Sequence, residues 1–468
     1  MSILKVFLLI ASLTFSTLVL ANPPTYKIEE FAKTCDAIHD EANYNTEFLR
    51  KHWRILEGQG NWLANTQMDF PDYDRIISKE SVEELNRLKE LLGQYNTQLM
   101  IAYLPARGLV YPTELSADTA QFDVSIARKK YISILQTLRK SEVLVPNLEA
   151  LLNYKEKAPL FFEKDLHWSN EGARETARLI SEQLKTLDFY DSSPSKKYET
   201  TYNGVVENDE KIKKAVAEIC GFTFAPTYSK TYITTERLTQ SDTSFDIFDE
   251  VTDEIVLLGT SFSALTQFNF IGYLQEYSNT SVSNYSLSGG GLIGSWVDYL
   301  KSGDFHTQPP KLIIWEVPGW RDFEPRFFHT FMPLFFDTCA NEDTELSASN
   351  LLARPQIPLN NALFSATGTK ATAQNLMVKV QAESPHVRSL QTRVWFKNGS
   401  SRTYTLRHAS RTKSDGQFQM LLGKNHNYPN EKVIGVDIED IQFYESAGEN
   451  PEARLAIKLC KSAIPYSD

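Results

Sequence analysis

The sequence has only four cysteines among 468 residues, no metal-binding spacing of cysteine or histidine, and no excess of positive charge. No two cysteines stand at CxxC-like spacing, and neither HxH nor HExxH occurs among the eight histidines, so a zinc site is not expected. The formal net charge of −11 argues against a general nucleic-acid-binding protein. We therefore expect no metal ion, no cofactor and no nucleic-acid partner.

Long apolar runs are also missing beyond the first 21 residues. Residues 1–21 combine a positive start at Lys5, an apolar run over 6–20 and a small-residue cleavage site, Val19-Leu-Ala21, as in a secretory signal peptide. The run is too short for a comfortable membrane span, and no later stretch approaches ~18 apolar residues. The sequence thus predicts an exported chain with no membrane span.

Apolar runs at 98–104, 254–258 and 311–315 predict buried strands, and the segments between them include helical patterns such as 79–93 and 124–140. Alternating strands and helices are typical of a parallel sheet covered on both faces. The sequence therefore predicts an α/β domain over about residues 26–340.

The pattern changes after a polar, turn-prone segment at 337–350. Short alternating segments with turn signals such as Asn398-Gly399 follow it, which is typical of a β-sandwich. We predict a second, all-β domain over residues 345–468. Its predicted strands include 376–380, 392–397, 403–406, 433–438 and 455–459.

The even number of cysteines in an exported chain predicts two disulfides. Four cysteines allow three pairings, and the sequence alone does not choose among them. We favour Cys35–Cys220 and Cys339–Cys460, because each bond then stays within one predicted domain.

Two short motifs together hold the groups of an acyl-transfer site. In Asp165-Leu-His167 the carboxylate and the imidazole are two residues apart, so both side chains point to one side if the segment is extended. Ser261, in Gly259-Thr-Ser261, follows a predicted strand and begins a predicted helix. We interpret Ser261 as nucleophile, His167 as base and Asp165 as the group that orients the imidazole. The alternative is a helix N-cap and an ordinary turn.

Three further features lie at predicted strand ends. Arg107 would grip a substrate carboxylate bidentately, or form a structural ion pair instead. Gly291 would add a backbone amide for an oxyanion, because glycine allows close approach; a plain loop is the alternative. Trp315-Glu316 and Trp320-Arg321 would line a sugar cleft or simply pack.

A basic, aromatic segment lies in the second predicted domain. Residues 384–414 contain seven Lys and Arg residues and not one Asp or Glu, which predicts a local field that attracts a polyanion. If Val394 faces the core, then Arg393, Trp395 and Lys397 share the exposed face. We predict a sugar-acid-binding surface of these three residues and Arg402. A solvated basic strand with Trp395 buried is the alternative.

The order Asp-x-His before Gly-Thr-Ser resembles the AlgX/AlgJ family of alginate O-acetyltransferases, an SGNH hydrolase-like group, since ordinary SGNH hydrolases place the serine first. Further similarity lies in Gly60-Asn-Trp-Leu63, Leu104-Pro-Ala-Arg-Gly-Leu109 and Pro309-Pro-Lys-Leu-Ile-Ile-Trp-Glu316. The segment Gly58-Gln-Gly60 departs from the Gly-Lys-Asp-Gly associated with the family.

The resemblance implies an SGNH-like catalytic domain followed by a carbohydrate-binding sandwich. It implies acetyl transfer through Ser261 to the 2- or 3-hydroxyl of mannuronate in nascent alginate, in the periplasm, beside other proteins of the secretion complex. Alternatives are a different acidic exopolysaccharide, an acetylesterase with the same triad, or a polysaccharide-binding scaffold without catalysis.

Overall fold

The protein was analysed as a computed structural model. The structure describes residues 34–155, 158–192, 195–221, 223–237, 254–336, 339, 343–408, 415–423, 428–449 and 451–463. The signal peptide predicted at 1–21 lies outside these residues.

Helices and strands alternate in the first part of the chain, and strands dominate after residue 343. The α-helices are α1 (Glu47–Arg50), α2 (Thr66–Asp69), α3 (Lys79–Gly93), α4 (Arg107–Val110), α5 (Val124–Lys140), α6 (Asn170–Leu184), α7 (Lys211–Cys220), α8 (Ser261–Ala264), α9 (Phe270–Ser278), α10 (Gly294–Ser302), α11 (Asp304–Thr307) and α12 (Pro325–Phe331). The strands of this part are β1 (Ile55–Glu57), β2 (Leu63–Asn65), β3 (Gln98–Tyr103), β4 (Tyr198–Glu207), β5 (Tyr228–Glu236), β6 (Ile255–Leu258), β7 (Ser283–Asn284) and β8 (Leu312–Val317).

A parallel sheet of order β3-β8-β6-β7 forms the centre of this part. Its strands are apolar on both faces because each face is covered. On one face, Ile313 and Trp315 of β8 pack with residues of α3, α5 and α10. On the other face, Leu312 and Ile314 pack with residues of α6 and α9. The predicted α/β fold is thus confirmed.

The second part is a sandwich of two antiparallel sheets, of order β10-β15-β12-β13 and β14-β11-β16-β9. Alternate residues of each strand face one shared apolar core, as predicted for an all-β unit. The strands are β9 (Thr344–Ala353), β10 (Leu359–Phe364), β11 (Leu376–Ala382), β12 (Val387–Phe396), β13 (Ser401–Arg407), β14 (Gln417–Leu421), β15 (Val433–Phe443) and β16 (Ala453–Lys461).

Both favoured disulfides are present. Cys35 pairs with Cys220 at the end of α7, and Cys339, just before β9, pairs with Cys460 in β16. Such bonds are typical of proteins that fold in an oxidising compartment. Among the residues described, no helix has the length and apolar character needed to cross a bilayer.

Candidate active site

Ser261 lies just beyond the carboxyl end of β6, the edge at which ligands of open α/β sheets gather. Gly259 and Thr260 form the turn that leaves the strand, and α8 begins at Ser261 itself. Thr260 is the N-cap residue of α8, and its hydroxyl accepts a hydrogen bond from the Phe262 amide. The strand end and the cap together fix the backbone on both sides of the serine.

His167 lies between Asp165 and Ser261 in one chain of hydrogen bonds. Its Nδ1 atom is 2.5 Å from Asp165 Oδ2, and its Nε2 atom is 2.7 Å from Ser261 Oγ. A proton on Nδ1, facing the carboxylate, leaves the Nε2 lone pair directed at the serine. The geometry therefore suits removal of a proton from the Ser261 hydroxyl.

The carboxylate of Asp165 is buried but well provided with donors. Its Oδ1 atom accepts a hydrogen bond of 2.9 Å from the Lys211 amide at the start of α7. Burial raises the pKa of Asp165, but the charge and hydrogen bond of His167, the Lys211 amide and the charge of Arg107 outweigh it, so the pKa is lowered to about 2. Asp165 is consequently ionised at neutral pH and can stabilise a protonated His167.

Aromatic rings surround the imidazole. The His167 ring lies 4.9 Å from the ring of Phe262 and 5.5 Å from that of Phe268, and Trp320 packs against Phe262. Water is thereby kept from one side of the imidazole, which strengthens its hydrogen bonds. Trp315 does not line a cleft, because it is fully buried in the core; at this position the packing alternative is correct.

Arg107 does not face a substrate, and that prediction was wrong. Its side chain is 0% exposed, and it binds both oxygens of Asp69, at 2.7 and 2.6 Å. Its remaining donors bind the carbonyls of Phe162, at 2.6 Å, and Leu63, at 2.7 Å. Arg107 is therefore the structural ion pair of the alternative reading, and it supports the segment that leads to Asp165.

The glycine segment begins beside the serine turn, because the Leu287 amide donates to the Gly259 carbonyl at 3.0 Å. Gly291 has a φ of +68°, which favours glycine. The amides of Phe262 and Ser263 bond to Thr260, at 3.4 Å to its hydroxyl and 3.2 Å to its carbonyl. They are already engaged within the turn.

The predicted basic face has the expected strand register but not the expected lack of counter-charge. Val394 is 0% exposed, and Trp395 and Lys397 lie on the outer side of the sheet. However, Arg393 forms an ion pair with Glu439, and the Trp395 indole donates to Asp437 at 2.7 Å. Both carboxylates come from β15, the strand paired with β12.

Three more of the segment's cations remain to be placed. The Arg402 guanidinium stacks over Tyr404, 5.3 Å from its ring centre. Arg402 pairs with the core-facing Val394, so it lies on the opposite side of the sheet from Arg393 and Trp395, and the prediction that it shares their surface was wrong. Arg411 and Lys413 lie outside the described residues. The ion pair of Arg393 with Glu439 shows that the expectation of seven cations without counter-charge was wrong, because partners on a neighbouring strand are distant in sequence.

Glu316 is a residue of the site to which the sequence analysis gave no chemical role. It is 0% exposed, and its carboxylate accepts hydrogen bonds from Thr260 and Ser263, on either side of Ser261. The sequence signal was one carboxylate in the apolar strand Leu-Ile-Ile-Trp-Glu-Val, 312–317.

The architecture defines a class of protein: an SGNH hydrolase-like domain followed by a carbohydrate-binding module. A model described as "SGNH hydrolase-like domain, acetyltransferase AlgX" matches residues 55–319. A model described as a C-terminal carbohydrate-binding module matches residues 338–466.

Similarity to known proteins extends over nearly the whole chain. It is 30% identical to "Alginate biosynthesis protein AlgX" of Pseudomonas syringae pv. tomato, over 95% of this chain and 91% of that protein. It is 24% identical to "Probable alginate O-acetylase AlgJ" of Pseudomonas putida, over 56% of this chain and 69% of that protein. The solved structure of Pseudomonas aeruginosa AlgX superposes with a TM-score of 0.77 and 26% identity, covering 92% of this chain and all of that one. The chain belongs to the AlgX/AlgJ family.

Proposed function

We propose that this protein is an O-acetyltransferase that acetylates mannuronate hydroxyls of alginate in the periplasm, through an acetyl-Ser261 intermediate. The observation that carries the proposal is the 2.7 Å contact between His167 Nε2 and Ser261 Oγ, with Asp165 bound to the opposite ring nitrogen. Family membership supports acetyl transfer as the reaction, and the names of the relatives support alginate as the polymer.

In the first half of the proposed reaction, Ser261 takes the acetyl group from an ester donor. His167 Nε2 removes the hydroxyl proton as Ser261 Oγ bonds to the acetyl carbon, and the carbonyl becomes a tetrahedral oxyanion. The oxyanion then collapses, the bond to the donor oxygen breaks, and that oxygen leaves with the proton from His167. The products are acetyl-Ser261 and the free donor alcohol.

In the second half, a sugar hydroxyl repeats the same steps in reverse. Its oxygen bonds to the acetyl carbon while His167 removes its proton, and Ser261 Oγ then leaves and regains that proton. The amides of Phe262 and Ser263 are engaged within their own turn, so we assign the oxyanion to the loop at Gly291. Water in place of the sugar would turn the same site into an esterase.

The proposal divides the work between a catalytic domain, 26–340, and a carbohydrate-binding domain, 345–468. We assign polymer binding to the outer face of β12. Its aromatic and basic side chains offer a ring surface for the sugar and cations for its carboxylate: Arg393, Trp395 and Lys397. Other proteins of the alginate secretion complex are the expected periplasmic partners.

Mass spectrometry of one reaction tests the proposal. Purified protein is incubated with an acetyl ester donor and oligomannuronate, beside Ser261→Ala and the control Ser181→Ala, which changes a buried serine of α6 outside the site. We expect acetylated oligomer from wild type and control but not from Ser261→Ala. Free acetate alone would indicate an esterase instead. Polymer binding without either product would indicate a scaffold, and equal rates in Ser261→Ala would refute the nucleophile.

A further inference from the structure

We infer that Glu316 is a positioning residue, which holds the Gly259–Ser263 turn so that the Ser261 hydroxyl faces His167. The inference rests on the proposed function, because it concerns how the same nucleophile is aligned. The argument begins with where the strand places this carboxylate.

Glu316 lies in β8, directly beside the end of β6. Trp315 pairs with Leu258, the last residue of β6, so Glu316 is level with the turn that follows. Side chains alternate along β8, and Glu316 therefore shares a face with Leu312 and Ile314. That face packs on the core that contains Trp168 and Phe262, so the carboxylate lies on the same side of the sheet as His167.

The hydrogen bonds of the carboxylate are directed at the nucleophile turn. The Thr260 amide donates to Glu316 Oε2 at 2.7 Å, and the Thr260 hydroxyl lies 3.1 Å from that oxygen. The Ser263 hydroxyl donates to the same oxygen at 3.1 Å. The Thr260 amide, just before Ser261, and the Ser263 side chain, two residues after it, thus bond to the same buried carboxylate, that of Glu316.

Gly259 leaves the space that this arrangement needs. A Cβ atom at Gly259 would lie 2.6 Å from Glu316 Oε2 and 2.9 Å from the hydroxyls of Ser263 and Ser286. The Ser286 hydroxyl is buried and has no partner among the described residues. A polar cluster therefore lies beneath the turn, in a position where an apolar side chain would be the ordinary choice.

A buried carboxylate costs free energy unless hydrogen bonds or a counter-charge compensate it. Burial raises the pKa of Glu316 to about 7, although the donors of Thr260 and Ser263 and the charge of His167 act in the opposite direction. A negative charge at this point also favours the protonated His167 that forms during transfer. The buried charge is a cost to the fold, whereas its hydrogen bonds hold the nucleophile turn, which is why we assign a positioning role.

Acetylation of Ser261 by p-nitrophenyl acetate tests the inference with Glu316→Gln, Glu316→Asp and Ser263→Ala in the full chain. A 1 Å displacement of a reacting atom costs about 100-fold in rate, so we expect Glu316→Gln to lower kcat about 10- to 100-fold, with KM within about twofold. Glu316→Asp keeps the charge and should recover part of the loss. Ser263→Ala removes one of the hydrogen bonds that Glu316 accepts, and it should lower kcat less than Glu316→Gln does.

The pH profile separates this role from a purely structural one. In wild type the Glu316 carboxyl titrates near pH 7, so log kcat/KM falls more steeply on the acidic side than in Glu316→Gln, which lacks this titration. Glu84→Gln, at a buried carboxylate bound to His329, is the matched control and should keep the wild-type kcat and profile.

The outcomes also distinguish the two proposals. If Glu316→Gln has wild-type kcat per folded molecule, or an acidic limb that superimposes on wild type, the positioning role is wrong. If Ser261→Ala in the same assay reacts as fast as wild type, the proposed nucleophile is wrong instead.

Discussion

Arg107 and Asp69 form a fully buried, bidentate ion pair beneath the segment that leads to the candidate active site. Breaking one partner of such a pair leaves a buried charge uncompensated, which costs about 3–5 kcal/mol. We therefore expect Asp69→Asn to lower the free energy of unfolding by about that amount, measured by urea denaturation. Because Arg107 also binds the Phe162 carbonyl, the variant should retain less activity as well.

The control for this prediction is an ion pair at the surface. Arg139 and Glu149 are also bidentate, but their side chains are 36% and 28% exposed. Exposed pairs contribute about 0–1 kcal/mol, so Glu149→Gln should change stability little. Equal losses in the two variants would show that burial of the Arg107 pair has no special energetic role.

Asp165→Asn tests the orientation of His167. The carboxylate binds His167 Nδ1 at 2.5 Å, and an amide can present a donor there, which favours the wrong tautomer. We expect kcat for acetyl transfer to fall by about 10³- to 10⁴-fold, as an orienting carboxylate implies, with the polymer still bound. Single-turnover kinetics on oligomannuronate measure the loss, and a loss below about tenfold would contradict the assigned role.

The same residue predicts a dependence of stability on pH. The pKa of Asp165 is lowered to about 2 from 3.8, so the folded state binds this proton less tightly than the unfolded state. The resulting stabilisation is present above pH 3.8 and is lost as pH falls towards 2. It amounts to about 2 kcal/mol, and it should be missing from the acid denaturation curve of Asp165→Asn.

The sequence was sufficient for the fold and for the three residues that meet in the candidate site, because both depend on local patterns. Apolar periodicity determines which faces are buried, and it located β3, β6 and β8 of the parallel sheet. The carboxyl ends of strands locate the site, which drew attention to Ser261. The disulfides followed from keeping each bond within one domain.

The sequence was insufficient where one side chain meets another from a distant segment. Arg107 finds Asp69 38 residues away, and Arg393 finds Glu439 on a strand whose register only the folded sheet reveals. Glu316 is 53 residues from Ser263. Ion pairs and buried hydrogen bonds of this kind depend on tertiary packing, and the periodicity of apolar residues in the sequence does not predict them.

The outer face of β12 gives a binding prediction. Replacing Trp395 and Lys397 by alanine removes the ring surface and an exposed cation, so we expect retention on a polyuronate matrix to weaken about tenfold, or roughly 1.4 kcal/mol. Retention of wild type should also fall as salt rises. The matched control is Lys379→Ala/Lys458→Ala, a cross-strand lysine pair on the other sheet. Equal weakening in both double variants would refute binding at the β12 face.

Glu316 predicts a stability change of opposite sign to that of Asp165. Its pKa is raised from 4.5 to about 7, chiefly by burial, so the folded state binds the proton more tightly than the unfolded state. Its contribution to stability is therefore fully present below about pH 4.5 and is lost as pH rises through 7. The loss is about 3 kcal/mol, and Glu316→Gln cannot titrate and should not show it.

The measurement is the difference in unfolding free energy between Glu316→Gln and wild type, from urea denaturation at acid and at mildly alkaline pH. Taking the difference cancels every titration that the two proteins share. The variant should gain on wild type by about 3 kcal/mol as pH rises through this range. A difference that stays constant with pH would mean that the carboxylate is ionised at little cost, because its hydrogen bonds from Thr260 and Ser263 then compensate its burial completely. In that case the Glu316 carboxylate would cost the fold almost nothing. The argument that a buried charge is retained for its function, because it costs stability, would then fail.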